Sequence, residues 1–159
     1  MLSFTNEDFE KTKQEAENFY KSIADGVLCP YFKEKISFNA KGLEHLKFSR
    51  KNHARVQQDQ YMRLRLLHLA PRVLGLSHTI QGISERTGFE LIRSSAHNEI
   101  LPKFCIYYEF VAIIDKVRVR VVVKQVESGP KYFWSIIPFW KYDEKKKNRK
   151  MCYGNPEED

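Results

Sequence analysis

Alternation of apolar and polar residues is the clearest pattern in the C-terminal half of the chain. Residues 104–114 and 117–126 are rich in β-branched and aromatic side chains, which predicts two strands joined by a tight turn at Asp115-Lys116. Residues 131–137 predict a third strand, which follows a turn at 128–130 and ends at a proline. Together these segments predict an antiparallel meander.

The N-terminal half shows helical spacing instead. Thr5 and Asp8 match a capping box, and apolar residues then recur at helical spacing until Asp25-Gly26 ends the helix. Residues 33–38 alternate between charged and apolar character, which predicts a short strand after this helix.

Two further helices are predicted in the middle of the chain. Asn39 is placed to cap a short helix over residues 40–48, and a longer helix covers residues 54–70. Pro71 is expected to break or kink the longer helix, because proline lacks the backbone N–H that a helix interior needs.

Residues 79–84 and 89–93 predict two more short strands around a turn at Thr87-Gly88. The order of elements predicts an α+β fold in which N-terminal helices pack on one face of a small twisted antiparallel sheet. We divide the chain into an acidic N-terminal helix extension (1–30), an α+β domain (31–140) and a polar, flexible tail (141–159).

Charge is unevenly distributed along the chain. The 159 residues include 27 Lys and Arg against 20 Asp and Glu, a formal net charge of +7. Residues 31–75 hold 10 basic and 3 acidic groups, whereas residues 1–30 hold 3 basic and 6 acidic groups. A basic surface favours a polyanionic partner, and the middle block is the first place to look for it.

The strand over residues 117–126 separates cations from valines. Lys116, Arg118, Arg120 and Lys124 share one parity, and Val117, Val119, Val121 and Val123 share the other. Because strand side chains alternate between faces, we expect the valines to face the core and the cations to line the opposite face. That cationic face suits a phosphate. An ordinary solvated sheet face is the alternative interpretation.

Neighbouring strands offer partners for the cationic face. Tyr107 and Glu109 share a parity on the preceding strand, and Lys131, Phe133 and Ser135 share one on the following strand. Aromatic side chains beside cations stack on unpaired bases, so we predict RNA contacts from Tyr107, Lys131, Phe133 and Ser135. Packing in the core is the competing interpretation for the aromatic residues.

The loop and helix after residue 45 carry most of the remaining positive charge. A basic loop that leads into a helix N-terminus holds phosphate through side chains and backbone N–H groups. A solvated loop and an ordinary helix face form the competing account. The candidate RNA-binding residues here are Lys47, Arg50, His53, Arg55 and Arg63.

Acid–base chemistry is a further option for this set of residues. Metal-free RNA cleavage needs a base for the 2′-hydroxyl, an acid for the leaving oxygen and cations for the phosphorane charge. The candidate catalytic residues are His45, Glu109, Arg118, Arg120 and Lys124. A single histidine on a short helix is also common as a structural residue.

Several classes of protein are disfavoured by the sequence. No apolar run reaches the roughly 18–20 residues of a membrane helix, and the polar, acidic start is unlike a signal peptide. Cys29, Cys105 and Cys152 have neither disulfide-framework nor zinc-ligand spacing, so we expect a reducing, cytoplasmic setting. Without HExxH, Walker or GxGxxG motifs, we expect no metal site and no cofactor.

Three consecutive segments carry a family resemblance: ISFNAKGLEHLKFSR, RVQQDQYMRLRLLHLAP and YYEFVAIIDKVRVRVVVKQVESGPKYFWSII. Over residues 33–140 the chain resembles the RelE-like group of small RNases, which extends to barnase-like and colicin-type RNases and to domains of phages and mobile elements. The resemblance implies a RelE-like fold and metal-independent cleavage of RNA. The His45 segment and the strand with Arg118, Arg120 and Lys124 match the regions where such proteins place active groups.

From the residues and the resemblance we predict a small metal-independent ribonuclease of toxin type, with RNA and an antitoxin or immunity protein as partners. The acidic N-terminal helix departs from the ribosome-dependent toxins. Two alternatives remain open: a non-catalytic nucleic-acid-binding accessory protein on the same scaffold, and a protein–protein module with an acidic partner.

Overall fold

Helices pack on one side of a four-stranded antiparallel sheet, so the predicted α+β class is confirmed. The computed structural model describes residues 3–50, 52–93, 97–138 and 156–157, and for residues 92 and 93 it describes the backbone alone. Of the predicted tail (141–159), residues 141–155 and 158–159 lie outside the described residues.

The N-terminal half holds the helices. Helix α1 (Asn6–Ser22) precedes a hairpin of β1 (Val27–Cys29) and β2 (Glu34–Ile36), and α2 (Ala40–Lys47) precedes a second hairpin of β3 (Phe48–Arg50) and β4 (His53–Ala54). Helix α3 (Gln57–Leu66) then leads through a 3₁₀ turn (Leu67–Leu69) into α4 (Ala70–Leu76).

The C-terminal half forms the sheet. Its strands are β5 (Gly82–Arg93), β6 (Asn98–Ile114), β7 (Val117–Val126) and β8 (Lys131–Pro138), and they pair in sequence order. Every neighbouring pair is antiparallel, as the predicted meander requires. The chain before α2 joins the β8 edge through a parallel bridge between Ser37 and Tyr132.

Local signals account for several of these boundaries. Thr5 accepts from the Asp8 backbone N–H at 3.1 Å while Asp8 accepts from the Thr5 N–H at 2.9 Å, which confirms the capping box. Asn39 caps α2 as predicted. Asp115 and Lys116 both have positive φ (50° and 66°), as a tight hairpin turn between β6 and β7 requires.

The predicted turn at Thr87-Gly88 is wrong. Gly88 lies within a continuous β5 that pairs with β6 over its whole length.

The predicted break at Pro71 is confirmed. Helix α3 ends at Leu66, and the 3₁₀ turn directly precedes the proline. Pro71 itself lies in the first turn of α4, where a missing N–H costs nothing.

The main core lies between the helices and the sheet. Val119, Val121 and Val123 are fully buried there, which confirms the predicted valine face of β7. Phe9, Ala16 and Tyr20 of α1 belong to the same core. The Tyr20 hydroxyl also donates to the Asn39 carbonyl at 2.6 Å, which ties α1 to the start of α2. The helix of the predicted 1–30 extension therefore shares its core with the rest of the chain.

Candidate nucleic-acid interface

The sheet face opposite the main core carries a second buried cluster built around one tryptophan. We call it the tryptophan face, and it is built from Lys124 and a set of mostly apolar residues on three strands. These apolar and aromatic members are Cys105 and Tyr107 of β6, Val122 of β7, and Tyr132, Trp134 and Ile137 of β8. Lys124 lies over the Trp134 ring, with its Nζ atom 4.1 Å from the ring centroid.

The register of β8 corrects the expected composition of this face. Tyr132 is opposite Lys124 and so shares its side of the sheet, whereas Lys131 is opposite Gln125 and Phe133 is opposite Val123. Phe133 is fully buried in the main core, and the Lys131 Nζ lies 4.9 Å from the Phe32 ring centroid. The prediction that Lys131 and Phe133 share the cationic face is therefore wrong.

A register shift between Val122 and Val123 adjusts β8 at this point. Val122 is opposite Ser135 and Val123 is opposite Phe133, so Trp134 is the extra residue of a bulge. Bulges re-aim side chains beside functional sites. Here the bulge places the Trp134 indole on the same face as Lys124, which the sequence parity of Phe133 and Ser135 did not reveal.

Lys124 is a buried cation that contacts two carboxylates among the described residues. Its side chain is 2% exposed, and Nζ lies 2.6 Å from Glu90 Oε1 and 3.3 Å from Glu157 Oε2. The Tyr107 ring lies 5.5 Å from the same nitrogen. Burying an ammonium group is costly unless it is paired, and these contacts supply that pairing.

Glu90 is held in its ionised form. Burial alone would raise the pKa of Glu90, but the hydrogen bond and charge of Lys124, with the charge of Lys41, outweigh it and hold this pKa below its usual value. Lys41 Nζ lies 3.3 Å from Glu90 Oε2 and is half exposed. Sequence reasoning missed Glu90, because it comes from a strand that does not neighbour β7.

The C-terminal end of the chain also reaches this face. The Trp134 indole Nε1 donates to the Pro156 carbonyl at 2.9 Å, and Pro156 is buried. Glu157 follows it and contacts Lys124. Sequence reasoning missed this contact as well, because the composition of residues 141–159 predicted a solvated tail.

Two tyrosine hydroxyls on this face have unused hydrogen-bonding capacity. Tyr107 Oη and Tyr132 Oη are buried and have no hydrogen-bond partner in the described part of the chain. Burial raises the pKa of Tyr132, and the negative charge of Glu90 raises it further, so this hydroxyl keeps its proton. Both hydroxyls are therefore hydrogen-bond donors without an acceptor among the described residues.

His45 reaches the tryptophan face from α2. Its ring stacks on Trp134 with 4.0 Å between centroids and 19° between planes. Arg55 donates through Nε to the His45 carbonyl at 2.9 Å, and its Nη2 lies 3.0 Å from His45 Nε2. Because a guanidinium only donates, His45 Nε2 acts as an acceptor and the ring is neutral.

A buried polar network extends from His45 under the sheet edge. Asp59 contacts Arg55 Nη1 at 3.4 Å and Arg63 Nε at 2.7 Å, and Arg63 Nη1 donates to Ser135 Oγ at 2.7 Å. Arg63 and Ser135 are fully buried, and Arg55 is 9% exposed. Arg55, Arg63 and Ser135 were predicted to bind RNA, but in the structure their side chains form hydrogen bonds with other protein groups in the interior.

The other predicted site residues lie further away. Arg120 Nε is 3.7 Å from Glu109 Oε2, and Arg118 is exposed at the far end of β7. Arg120 precedes Lys124 by four strand residues, about 13 Å along β7. The five candidate catalytic residues therefore do not converge on one point. His45 and Lys124 are brought together at Trp134, and Glu109 pairs with Arg120.

The basic residues of the second hairpin region form a separate group. Lys47 Nζ contacts Glu17 Oε1 of α1 at 2.6 Å, so this predicted RNA contact already has an acidic neighbour. Arg50 and His53 are exposed and paired across β3 and β4. They lie in the hairpin that follows α2.

No group of three or more His, Cys, Asp or Glu side chains within the described residues is arranged to hold a metal ion. Among the same residues, no helix is long and apolar enough to cross a membrane.

Comparison with known proteins adds no assignment: no family model matches the chain, and neither a curated protein nor a solved structure matches it.

Proposed function

We propose that this protein binds RNA on the tryptophan face. The observation that carries the proposal is the position of Lys124, a buried ammonium group over the Trp134 ring. The same face holds two tyrosine hydroxyls that have no hydrogen-bond partner in the described part of the chain. A cation, hydroxyl donors and an indole supply the contacts that a phosphate and an unpaired base need.

The fold expected from the resemblance is part of the same proposal. From β2 to β8 the chain runs through a short strand, then α2, the β3–β4 hairpin, α3 and α4, and last an antiparallel meander. The general order of strand, helices and meander is the one expected of the RelE-like group, whereas the β3–β4 hairpin and the third helix add to it. We propose on this basis that the chain is a RelE-like protein of toxin type, with RNA as its target and a cognate antitoxin or immunity protein as a partner.

Cleavage of the bound RNA is the second candidate function. The observation that favours it is the contact of 2.6 Å between Glu90 and Lys124, which places a carboxylate and an ammonium group in one face. His45 is less suited to the role of base, because Arg55 occupies its Nε2 and the residue is 4% exposed.

A direct binding assay tests the primary proposal. Purified protein is titrated with fluorescent single-stranded RNA, and Lys124→Gln is compared with Lys11→Gln, which removes an exposed charge from α1. We expect Lys124→Gln to weaken binding by about tenfold and Lys11→Gln to have little effect. Equal affinities for the two variants would contradict the proposal, and a preference for acidic peptide over RNA would favour the protein–protein module.

A cleavage assay tests the second candidate separately. The protein is incubated with total RNA with and without EDTA, and Glu90→Gln is compared with Glu85→Gln, an exposed residue on the same strand. Cleavage that persists in EDTA and is lost in Glu90→Gln alone supports a metal-independent ribonuclease. If the protein binds RNA but the RNA stays intact, the protein is a non-catalytic RNA-binding protein. A requirement of cleavage for Mg²⁺ would contradict the metal-free mechanism.

A further inference from the structure

The C-terminal residues Pro156 and Glu157 contact the tryptophan face through two different groups at once. The Pro156 carbonyl accepts from Trp134 Nε1 at 2.9 Å, and Glu157 Oε2 lies 3.3 Å from Lys124 Nζ. Pro156 uses its backbone carbonyl, and Glu157 uses its side chain. The groups that they contact on the tryptophan face, an indole N–H and an ammonium group, can only donate hydrogen bonds.

The charges around Lys124 indicate what Glu157 does there. Lys124 and Lys41 both contact Glu90, so these three groups alone leave one positive charge in excess. Glu157 supplies the negative charge that balances the group. An anion of another kind would balance it equally well, because the electrostatic requirement is for one negative charge beside Lys124.

The two carboxylates are not held equally. Glu90 lies 2.6 Å from Lys124 and is 12% exposed, whereas Glu157 lies 3.3 Å away and is 39% exposed. The longer and more solvated contact is the weaker one. Of the two carboxylates, Glu157 is therefore the one whose contact with Lys124 an external anion replaces at the lower cost.

We infer that Pro156-Glu157 is a built-in occupant of the tryptophan face that competes with RNA. The Glu157 carboxylate lies beside Lys124 where an RNA phosphate would bind, and the Pro156 carbonyl accepts the hydrogen bond of the Trp134 N–H. RNA binds to the tryptophan face when Pro156 and Glu157 dissociate from it. The competition rests on the proposed function, whereas the docking of the segment does not.

Fluorescence of Trp134 tests the docking without RNA. Trp140→Phe removes the other of the chain's two tryptophans, so that Trp134 alone reports. In that background, a chain that ends at Asn155 is compared with the full chain. Glu157→Gln is compared with Asp25→Asn, which removes an exposed charge that is distant from Trp134 in the sequence. Circular dichroism and thermal unfolding establish that each variant is folded.

We expect the shortened chain to show a red-shifted Trp134 emission and a several-fold higher acrylamide quenching constant. Glu157→Gln should move both values in the same direction by a smaller amount, and Asp25→Asn should leave them unchanged. Unchanged Trp134 emission in the folded, shortened chain would overturn the inference.

The same variants separate failure of the inference from failure of the proposed function. If both hold, the shortened chain binds single-stranded RNA about fivefold to tenfold more tightly than the full chain. If the full chain binds RNA and the shortened chain binds no more tightly, the competition is overturned. If neither chain binds RNA while Trp134 becomes accessible on shortening, the docking stands and the proposed function fails.

Discussion

Lys124 Nζ lies 2.6 Å from Glu90 Oε1, although β6 separates the strands that carry these two residues. The β5–β6 ribbon extends beyond the part of β6 that pairs with β7, and Glu90 lies in this extension, opposite Leu101. Gly88 also lies in it, and a Cβ atom there would be 3.3 Å from Cys105 Sγ. The ribbon therefore brings the carboxylate to a cation that the sheet has already buried.

Loss of Glu90 should destabilise the protein in a pH-dependent way. Glu90→Gln removes the nearer of the two carboxylates that contact the buried ammonium group in the described part of the chain, which we expect to cost about 2–3 kcal/mol at pH 7. The pKa of Glu90 is lowered in the folded state, so its contribution is present above the unfolded pKa of the carboxyl. It is lost as the pH falls through the folded pKa, and the cost of the substitution should shrink at acidic pH.

Urea unfolding at pH 7 and at pH 3 measures this effect. Glu85→Gln serves as the control, because Glu85 is exposed on the same strand. A cost for Glu90→Gln that is the same at both pH values would argue against the ion pair with Lys124.

Arg63 should be essential for stability, in contrast to its neighbour Arg65. Arg63 is fully buried and uses two nitrogens on Asp59 and Ser135, which a lysine cannot reproduce. We expect Arg63→Lys to cost about 3 kcal/mol, and Arg65→Lys, on the exposed face of the same helix, to change stability by less than about 0.5 kcal/mol. Thermal unfolding of both variants checks this, and equal melting temperatures would contradict the buried network.

Gly42 should be the most sensitive glycine of the helices. An added Cβ would lie 2.3 Å from the Phe133 carbonyl oxygen and 2.6 Å from Tyr20 Oη, so alanine would push α2 away from β8. We expect Gly42→Ala to cost about 2–3 kcal/mol. Gly75→Ala is the matched control in α4, where the new Cβ meets only Val27 Cγ1 at 3.5 Å.

Alanine at position 75 should be neutral or stabilise the helix by up to about 1 kcal/mol. Chemical unfolding of the two variants gives the comparison. A well-tolerated Gly42→Ala would mean that α2 does not pack on β8 as closely as described.

The salt dependence of RNA binding should show whether Lys124 contacts an RNA phosphate. The affinity for single-stranded RNA falls with salt on a log–log scale by about 0.7 for each phosphate neutralised. Lys124→Gln should reduce this slope by about that amount, because one phosphate contact is lost, and Lys11→Gln should not change it. A slope that is the same for Lys124→Gln and the unaltered protein would place the phosphate elsewhere.

Local chemistry explains which features were predictable from the sequence. The caps at Thr5 and Asn39, the turn at Asp115-Lys116 and the valine face of β7 each depend on neighbouring residues, and the structure confirms them. The length of β5 was not predictable in the same way. The glycine at position 88 predicts a turn, because glycine is common in turns. Gly88 instead stays in an extended strand because it pairs with β6, which is distant in the sequence.

The candidate site depends even more on distant residues. Glu90 and Glu157 approach Lys124 from elements 34 and 33 residues away in the chain, and no local pattern encodes either approach. Because of the bulge at Trp134, the β8 residues on the face of Lys124 are Tyr132, Trp134 and Ile137, which do not share one sequence parity. Sequence parity identified Lys124 and Tyr107 as members of one face, but not the residues that surround them.

The indole N–H resonance of Trp134 provides the most direct test of RNA binding on the tryptophan face. Two indole signals are expected from the two tryptophans, and Trp140→Phe assigns them. During titration with single-stranded RNA, our account predicts that the Trp134 signal shifts in proportion to occupancy, because Nε1 exchanges the Pro156 carbonyl for the RNA. RNA binding that leaves the Trp134 signal in place would contradict this account. So would a Trp134 signal that shifts as far in Lys124→Gln as in the unaltered protein at the same RNA concentration.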